Sequence, residues 1–382
     1  MFLSESTNNP VGLDISDLSL KIFQLKKTGN KISIQALNKV DLPKGLIEDG
    51  EVIKKEEVLK ELNRLFENPK YGKVDSMEVV ASLPESKTFI KLIEIENSPN
   101  DLGEVIKTEI EKYIPLAIDE IYYDWQVIKS LPDKKLILLG AAPKNIVDQY
   151  SELIDEAGLS LSALEIESIA LCRCLLNEES NNYKNLESGS YGIIDIGSRL
   201  TNMVVYAEKT ILFTVSMPIC GDEITQSISK TLKIDYEQAE KAKIICGLDD
   251  NRADGVIKNI LSEVLNELID RINEVQKYQE YHFPSQPKIS QIYLCGGGSN
   301  IVGLDKIIES KIGVKVNFGN PFNNLGIKES DLPSILTETH SLNLNFSKDK
   351  KNKDEQTISQ DTSLAFSTAI GLALRGVFVD EI

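Results

Sequence analysis

The sequence predicts an α/β protein built from two related halves that face each other across a cleft. Three observations point there. A strand, an aspartate-bearing turn and two further strands can be read from Val11 and again from Tyr191. Another apolar strand, Gln291 to Cys295, runs directly into three glycines. The chain has 382 residues, too many for one ordinary compact domain and suited to two or three.

The elements follow in order. Val11-Gly12-Leu13-Asp14-Ile15-Ser16 reads as a buried strand ending in a polar turn. Leu18, Leu20 and Ile22 alternate as a second strand, Thr28-Gly29-Asn30 signals a turn, and Ile32, Ile34 and Ala36 alternate as a third. From Tyr191 to Ser198 the strand and polar turn recur, Thr201 to Tyr206 is the next strand, Glu208-Lys209 a short break, and Thr210 to Val215 the third. Asp14 and Asp195, one per unit, lie 181 residues apart, about half the chain.

Two such turns facing each other offer backbone N–H groups to a phosphate chain from both sides. An aspartate in each can hold a hydrated magnesium ion that bridges the phosphates. One aspartate at a strand end is ordinarily a turn former; the matched pair is what points to a ligand. Gly296, Gly297 and Gly298 let the backbone approach a ligand closely, and a helix from Asp305 to Ile312 follows. A flexible turn is the plain alternative. Asp235 to Gly247 reads as a glycine-capped helix with Glu240 and Lys243 on one face, where a solvated ion pair is the plain alternative.

Between these motifs, Thr88 to Gly158 reads as an insertion into the first half. It holds a strand (Thr88 to Ile95), then an amphipathic helix through Leu102, Val105, Ile106, Ile110 and Tyr113 that stops before Pro115. Strands at Tyr122 to Ile128 and Lys135 to Ala142 and a closing helix, Val147 to Ala157, complete it. Gly255 to Tyr281 is expected as a long core-facing helix with Val256, Ile260, Val264, Leu268, Ile272 and Val275 on one stripe. Ser341 to Gln360, around Lys348 to Lys353, is expected as a loop, and Ser363 to Val379 as a helix closing back on the first half.

Composition narrows the function. Lys and Arg number 42 against 59 Asp and Glu, a net charge of −17. That argues against non-specific nucleic-acid binding, which runs on cations neutralising phosphates, and leaves room for a pocket that takes one nucleotide. No apolar run approaches the roughly 20 residues that span a bilayer. Met1 to Pro10 lacks a signal-peptide pattern, and Arg375 to Ile382 is short and acidic, so membrane association is expected through partners alone. Cys172, Cys174, Cys220, Cys246 and Cys295 are odd in number and mostly widely spaced, as buried reduced thiols of a cytosolic protein are. With His282 and His340 as the two histidines, no zinc site is expected.

Taken in order, the Asp14 turn, Asp195-Ile196-Gly197-Ser198 with Thr201, Ala239-Glu240 with Ala242-Lys243, and Leu294 to Ser299 resemble the superfamily of actin, heat-shock chaperones and sugar kinases. Glu109-Ile110-Glu111-Lys112-Tyr113-Ile114-Pro115, with Ile118-Asp119-Glu120 and Tyr123-Asp124-Trp125, is similar to the PilM family of type IV pilus assembly proteins. Glu156 to Leu159 and Glu165 to Ser168 fit the same family, so the resemblance covers nearly the whole chain.

The resemblance implies a duplicated actin-like, ribonuclease H-like fold. Residues 1–87 and 159–188 would form the first half, 88–158 an inserted subdomain like that of the division protein FtsA, and 189–382 the second half, with a subdomain at about 221–286. It implies ATP and magnesium as ligands. Asp14, Ser16 and Ser19 would form the first phosphate turn, and Asp195, Gly197, Ser198 and Thr201 the second, with Asp14 and Asp195 near magnesium through water. Glu240 and Lys243 would meet ribose and base, and Gly296, Gly297 and Gly298 would pack on the nucleoside. Glu167 falls where relatives place a water-orienting glutamate; a helix-start carboxylate is the alternative.

The implied partner is the cytoplasmic N-terminal peptide of a PilN-like membrane protein, held between the first half and the insertion, together with other proteins of the pilus assembly platform. The implied location is cytoplasmic, peripheral to the inner membrane. Ser16-Asp17 departs from the family, which has glycine after Asp-Ile. A Cβ there narrows the approach and a second carboxylate repels phosphate, so binding is expected and hydrolysis at most weak. Cys220-Gly221 stands where Gly-Gly is common. A division-type membrane tether like FtsA and a small-molecule kinase of the same superfamily stay open at this level; the kinase needs an acceptor pocket with a general base.

Overall fold

The structure, a computed structural model, describes residues 9–29, 31–97, 102–176, 189–327, 332–333, 336–342 and 356–378. Alternating apolar residues build the opening meander. β1 (Val11–Ser16) pairs antiparallel with β2 (Ser19–Thr28), and β2 with β3 (Lys31–Asp41). Ser16 pairs directly with Ser19, so Asp17 and Leu18 alone make the turn. β4 (Ile47–Glu48) and β5 (Glu51–Val52) form a small hairpin around Asp49-Gly50, at φ 49° and 76°, the left-handed geometry that Asp-Gly favours. α1 (Lys55–Glu67), β6 (Tyr71–Gly72) and β7 (Glu78–Leu83) follow, β7 running parallel to β1.

The insertion consists of β8 (Phe89–Glu96), α2 (Leu102–Tyr113), β9 (Ile121–Ser130) and β10 (Lys134–Pro143). The chain then returns through α3 (Lys144–Glu156) to β11 (Ser160–Ile166), parallel to β7, and α4 (Glu167–Leu175).

The second half repeats the plan. β12 (Ser190–Ile196), β13 (Thr201–Ala207) and β14 (Thr210–Met217) make the meander, with Glu208-Lys209 as its two-residue turn. α5 (Gly221–Leu232), α6 (Tyr236–Cys246) and α7 (Val256–His282) lead to β15 (Ile289–Cys295), parallel to β12. α8 (Leu304–Ile312) leads to β16 (Lys315–Phe318), parallel to β15. β17 (Thr337–Leu342) pairs with β18 (Gln356–Asp361), and α9 (Ser367–Phe378) follows. The strand order β11-β7-β1-β2-β3 in one sheet matches β16-β15-β12-β13-β14 in the other, so the repeat seen in the turns is a repeat of the whole sheet.

α9 closes on the first half at backbone distance. A Cβ on Gly12 of β1 would overlap the carbonyl oxygen of Ala369, and one on Gly371 would overlap that of Ala170 in α4. Glu165 adds an ionic staple there, bound by Arg173 at 2.6 Å and by Arg375 of α9 at 2.7 Å.

Some expectations shift. The helix expected at 147–157 starts at Lys144 and belongs to the first half: Ile146, Tyr150, Leu153 and Ile154 share one core with Val11, Leu13, Val58 and Leu62. The insertion thus ends near Pro143 rather than Gly158. On α7 the inward stripe begins with Ile257, Leu261 and Leu265; Val256 is exposed, and Ile260 and Val264 are half-buried. Adjacent apolar residues permit either reading from sequence, and the sheet takes the inner member of each pair. The expected loop at 341–360 has paired flanks in β17 and β18, while Lys348 to Lys353 lies outside the described residues. So do residues 1–8 and the boundary expected at 188.

The insertion also bridges the halves. β8 pairs with β14 at Lys91 and Phe213, so its three strands extend the second half's sheet to eight, with β9 at the edge.

Candidate functional site

Both polar turns open on one cleft of about 700 Å³ between the halves. β1 carries Asp14 to its mouth. The carboxylate is 3% exposed, takes a salt bridge from Lys21 Nζ at 2.7 Å and accepts a hydrogen bond from Ser16 Oγ at 2.8 Å. Lys21 stands opposite Asp14 in the β1–β2 register. Burial opposes its charge, but the Asp14 carboxylate outweighs that and holds the ammonium above its ordinary pKa.

Asp195 occupies the matching place in β12. Burial pushes its carboxyl up to about 6, with Lys21 pulling it down and Asp14 pushing it further up. Glu167 opens α4, half-buried, and accepts from Thr368 Oγ1 at 3.2 Å. Burial, then Asp195, Asp14 and Glu85, raise it well above the usual carboxylate range against the pull of Lys21. These carboxylates outnumber the one ammonium among them, an excess that a divalent cation relieves. Among the described residues no three acidic, cysteine or histidine side chains converge to ligate one ion directly.

The second turn, Gly197-Ser198-Arg199-Leu200, is closed by Gly197 N–H donating to Leu200 O at 2.9 Å. The N–H groups of Leu18, Ser198 and Arg199 find no acceptor among the described residues, which leaves them for a phosphate. Ser19 and Ser198 line the cleft as expected. Asp17 lines the cleft with its carboxylate already engaged. It accepts N–H bonds from Asp49 at 2.8 Å and Gly50 at 2.9 Å and faces Arg199 Nε at 3.7 Å across the cleft.

Thr201 departs from its expected role. It is fully buried and its hydroxyl donates to Ile219 O at 2.6 Å. Strand alternation turns Thr201 into the core and brings the next residue, Asn202, to the cleft.

The three glycines divide their work. Gly296 has φ 81°, and a Cβ there would overlap the Asp195 carboxylate; a Cβ on Gly298 would crowd Ile196. Both are required by packing between β15 and the end of β12. A Cβ on Gly297 meets nothing nearer than Ala365 Cβ at 3.8 Å, so this glycine alone leaves space to a ligand.

α6 is capped by Asp235, which accepts from Gln238 N–H at 2.8 Å, and by Gly247 at its end. Its Glu240–Lys243 pair is no solvated surface pair. Lys243 is buried, and its Nζ donates to Glu240 at 2.7 Å, Thr225 Oγ1 at 2.9 Å and Gly221 O at 3.2 Å, while Thr225 donates to Glu240 as well. The pair locks α6 to α5 in the cleft wall.

Sequence reasoning missed Lys21, although a lysine between Leu20 and Ile22 in a buried strand is a legible signal. It also missed Lys44, whose Nζ reaches Asp222 Oδ2 across the halves at 2.7 Å. Tyr236 and Gln226 donate to the same carboxylate at 2.8 and 2.7 Å. Burial works to raise the Asp222 pKa, yet these hydrogen bonds and Lys44 lower it on balance. No local motif announces two partners 178 residues apart.

Comparison with known proteins completes the picture. Residues 12–344 match the family model described as type IV pilus assembly protein PilM. A solved PilM-PilN type IV pilus biogenesis complex is similar with a TM-score of 0.75 and 23% identity, over 97% of this chain and 98% of that one. MreB5 of Spiroplasma citri bound to AMPPNP is similar with a TM-score of 0.53 and 12% identity, over 98% of each chain. The cell division protein FtsA of Streptococcus pneumoniae is 22% identical over 307 residues, 68% of this chain and 66% of that protein. FtsA of Neisseria meningitidis is 24% identical over 236 residues, 57% of this chain and 53% of that protein. The chain spans about half to two thirds of the length of these curated relatives. The structural likenesses establish the fold, which is actin-like.

Proposed function

Because the chain belongs to the family of type IV pilus assembly proteins PilM, we propose that it is a nucleotide-binding scaffold of a pilus assembly platform. The observation that carries the nucleotide part is the matched pair of turns, with Asp14 and Asp195 on opposite halves of one cleft and Lys21 paired between their charges. Asp14 and Asp195 would hold hydrated magnesium, Lys21 and the turn N–H groups the phosphates, and Glu240 and Gly297 the nucleoside, with Lys243 holding Glu240 in place. The magnesium ion bound with the nucleotide would supply the positive charge that the carboxylate cluster lacks. Ser16 and Lys21 fix the Asp14 carboxylate, and Thr368 fixes Glu167. Burial and the neighbouring Asp195, Asp14 and Glu85 carboxylates raise the Glu167 carboxyl well above the usual range, the direction in which a carboxylate is tuned toward general-base work. Calorimetric titration of Mg-ATP is expected to give saturable one-to-one binding; none at millimolar nucleotide overturns this reading.

The partner proposed is a cytoplasmic peptide of a PilN-like membrane protein, in line with the solved PilM-PilN complex. Two exposed apolar side chains border α3, one from each side of the insertion boundary. Tyr122 of β9, 46% exposed, donates to Asp148 of α3 at 3.2 Å. Ile53, 54% exposed, follows Val52, whose N–H donates to Gln149 of α3 at 2.9 Å. An edge strand beside apolar side chains is a surface that peptides use. Among the described residues no helix is long and apolar enough to cross a membrane, so the proposed membrane contact runs through this partner. Combining Ile53→Ser with Tyr122→Ala is expected to weaken a labelled PilN-type peptide about tenfold by fluorescence anisotropy, with Mg-ATP binding retained. Unchanged peptide affinity would place the partner elsewhere.

A further inference from the structure

We infer that Arg199 reads the terminal phosphate of the bound nucleotide, so that the cleft prefers a triphosphate to a diphosphate; this rests on the nucleotide reading above. The argument begins with the cations that line the cleft. Lys21, Lys39, Lys44 and Lys243 each hold a carboxylate within 2.8 Å. Lys70 belongs to neither turn. Arg199 sits on the second turn itself, its side chain 40% exposed, and the ionic contact of its guanidinium among the described residues is the 3.7 Å approach to Asp17. That distance is too long for a hydrogen bond.

Asp17 has no need of this arginine, because the Asp49 and Gly50 N–H groups already satisfy its two carboxylate oxygens. Turning Arg199 away therefore leaves no buried charge unpaired. A guanidinium presents a planar fork of donors that fits a phosphate with two parallel hydrogen bonds, and it stays charged at every working pH. It extends from the turn whose Ser198 and Arg199 N–H groups are free, so side chain and backbone of one residue can serve one phosphate chain. A triphosphate presents one more phosphate than a diphosphate, and Arg199 is the cation on the phosphate turns left to meet it. Arg199 also links the turns of the two halves, so transfer to a phosphate replaces a weak protein contact by one made through the nucleotide.

The test compares Mg-ATP and Mg-ADP affinities by calorimetry for the wild type, Arg199→Met and Arg199→Lys, with nucleotide-free thermal midpoints as a folding check. The wild type is expected to favour ATP. Arg199→Met is expected to lose about tenfold in ATP affinity while ADP affinity stays within about twofold, and Arg199→Lys to recover part of the preference. Equal loss for both nucleotides would make Arg199 a general attractor of anions, and no loss would make it an ordinary surface residue; either overturns the inference. Failure of the wild type to bind either nucleotide overturns the nucleotide reading itself, a result that cannot be confused with those two.

Discussion

Asp195→Asn is expected to raise the melting temperature of the nucleotide-free protein and, at the same time, to abolish its magnesium-dependent ATP binding. Both effects follow from one carboxylate. Burial and the nearby Asp14 put the Asp195 pKa at about 6, above the 3.8 of a free aspartate. A carboxyl whose folded pKa is raised burdens the fold when ionised. The burden is full above about pH 6, and it lifts as the pH falls from there toward the ordinary range, because the folded protein takes up the proton first. After allowance for partial exposure the burden at neutral pH is about 1–2 kcal/mol, or roughly 1–3 °C in a chain of this size. Asparagine removes it and leaves the Asp14–Lys21 bridge intact.

The same substitution deletes one of the two carboxylates proposed to hold hydrated magnesium, a loss of at least about thirtyfold in Mg-ATP affinity for a charge-assisted contact of about 2 kcal/mol. In the wild type, Mg-ATP affinity is expected to fall as the pH drops below about 6, where Asp195 protonates. Melting curves and calorimetry at pH 5, 6 and 7.5 check all three statements. A variant that melts lower than wild type at pH 7.5 and still binds Mg-ATP would show that the cluster is no cation site.

Gly371→Leu is expected to cost more than about 3 kcal/mol of stability. Gly371 faces the backbone of Ala170, and a Cβ there would overlap a carbonyl oxygen that no rotamer change can move. α9 would have to lift from α4, and with it from β1, where Gly12 makes the same kind of contact with Ala369. The Arg375–Glu165 bridge at the far end of α9 would strain as well. Gly297→Ala is the control, since its Cβ would find 3.8 Å of clearance; it is expected to fold normally and to weaken nucleotide binding. Urea titrations of the two variants give the comparison. A Gly371→Leu protein within about 1 kcal/mol of wild type would contradict the close α4–α9 packing.

Much of this was legible in the sequence wherever the information is local. Strand alternation located the two meanders, and the aspartates at their first strand ends marked the cleft from both sides. The strand–Gly-Gly-Gly–helix motif located the third wall. The misreadings share a cause, which is that burial is decided by what lies opposite. Thr201 and Asn202 are both polar, and only the facing segment at Ile219 determines which turns inward. Val256-Ile257 and its successors present two equivalent stripes until the sheet selects one. α3 adjoins the insertion in sequence, whereas its side chains complete the first half's core. The charges that cross the cleft, Lys44 with Asp222 and Asp17 with Arg199, come from opposite halves, so no periodicity or motif could pair them.

The seam between β8 and β14 has a mechanical meaning. The chain leaves the first half after β7, is stitched by β8 into the second half's sheet at Lys91 and Phe213, and then returns through α3 to the first-half core. The insertion is therefore a strap fastened at both ends, and the halves cannot swing apart without straining the pairing at Lys91 and Phe213. A ladder pairing resists such strain because breaking it leaves N–H and C=O groups without partners. A cleft spanned this way is a tethered door rather than a freely swinging one, and whatever grips the strap acts on both halves at once.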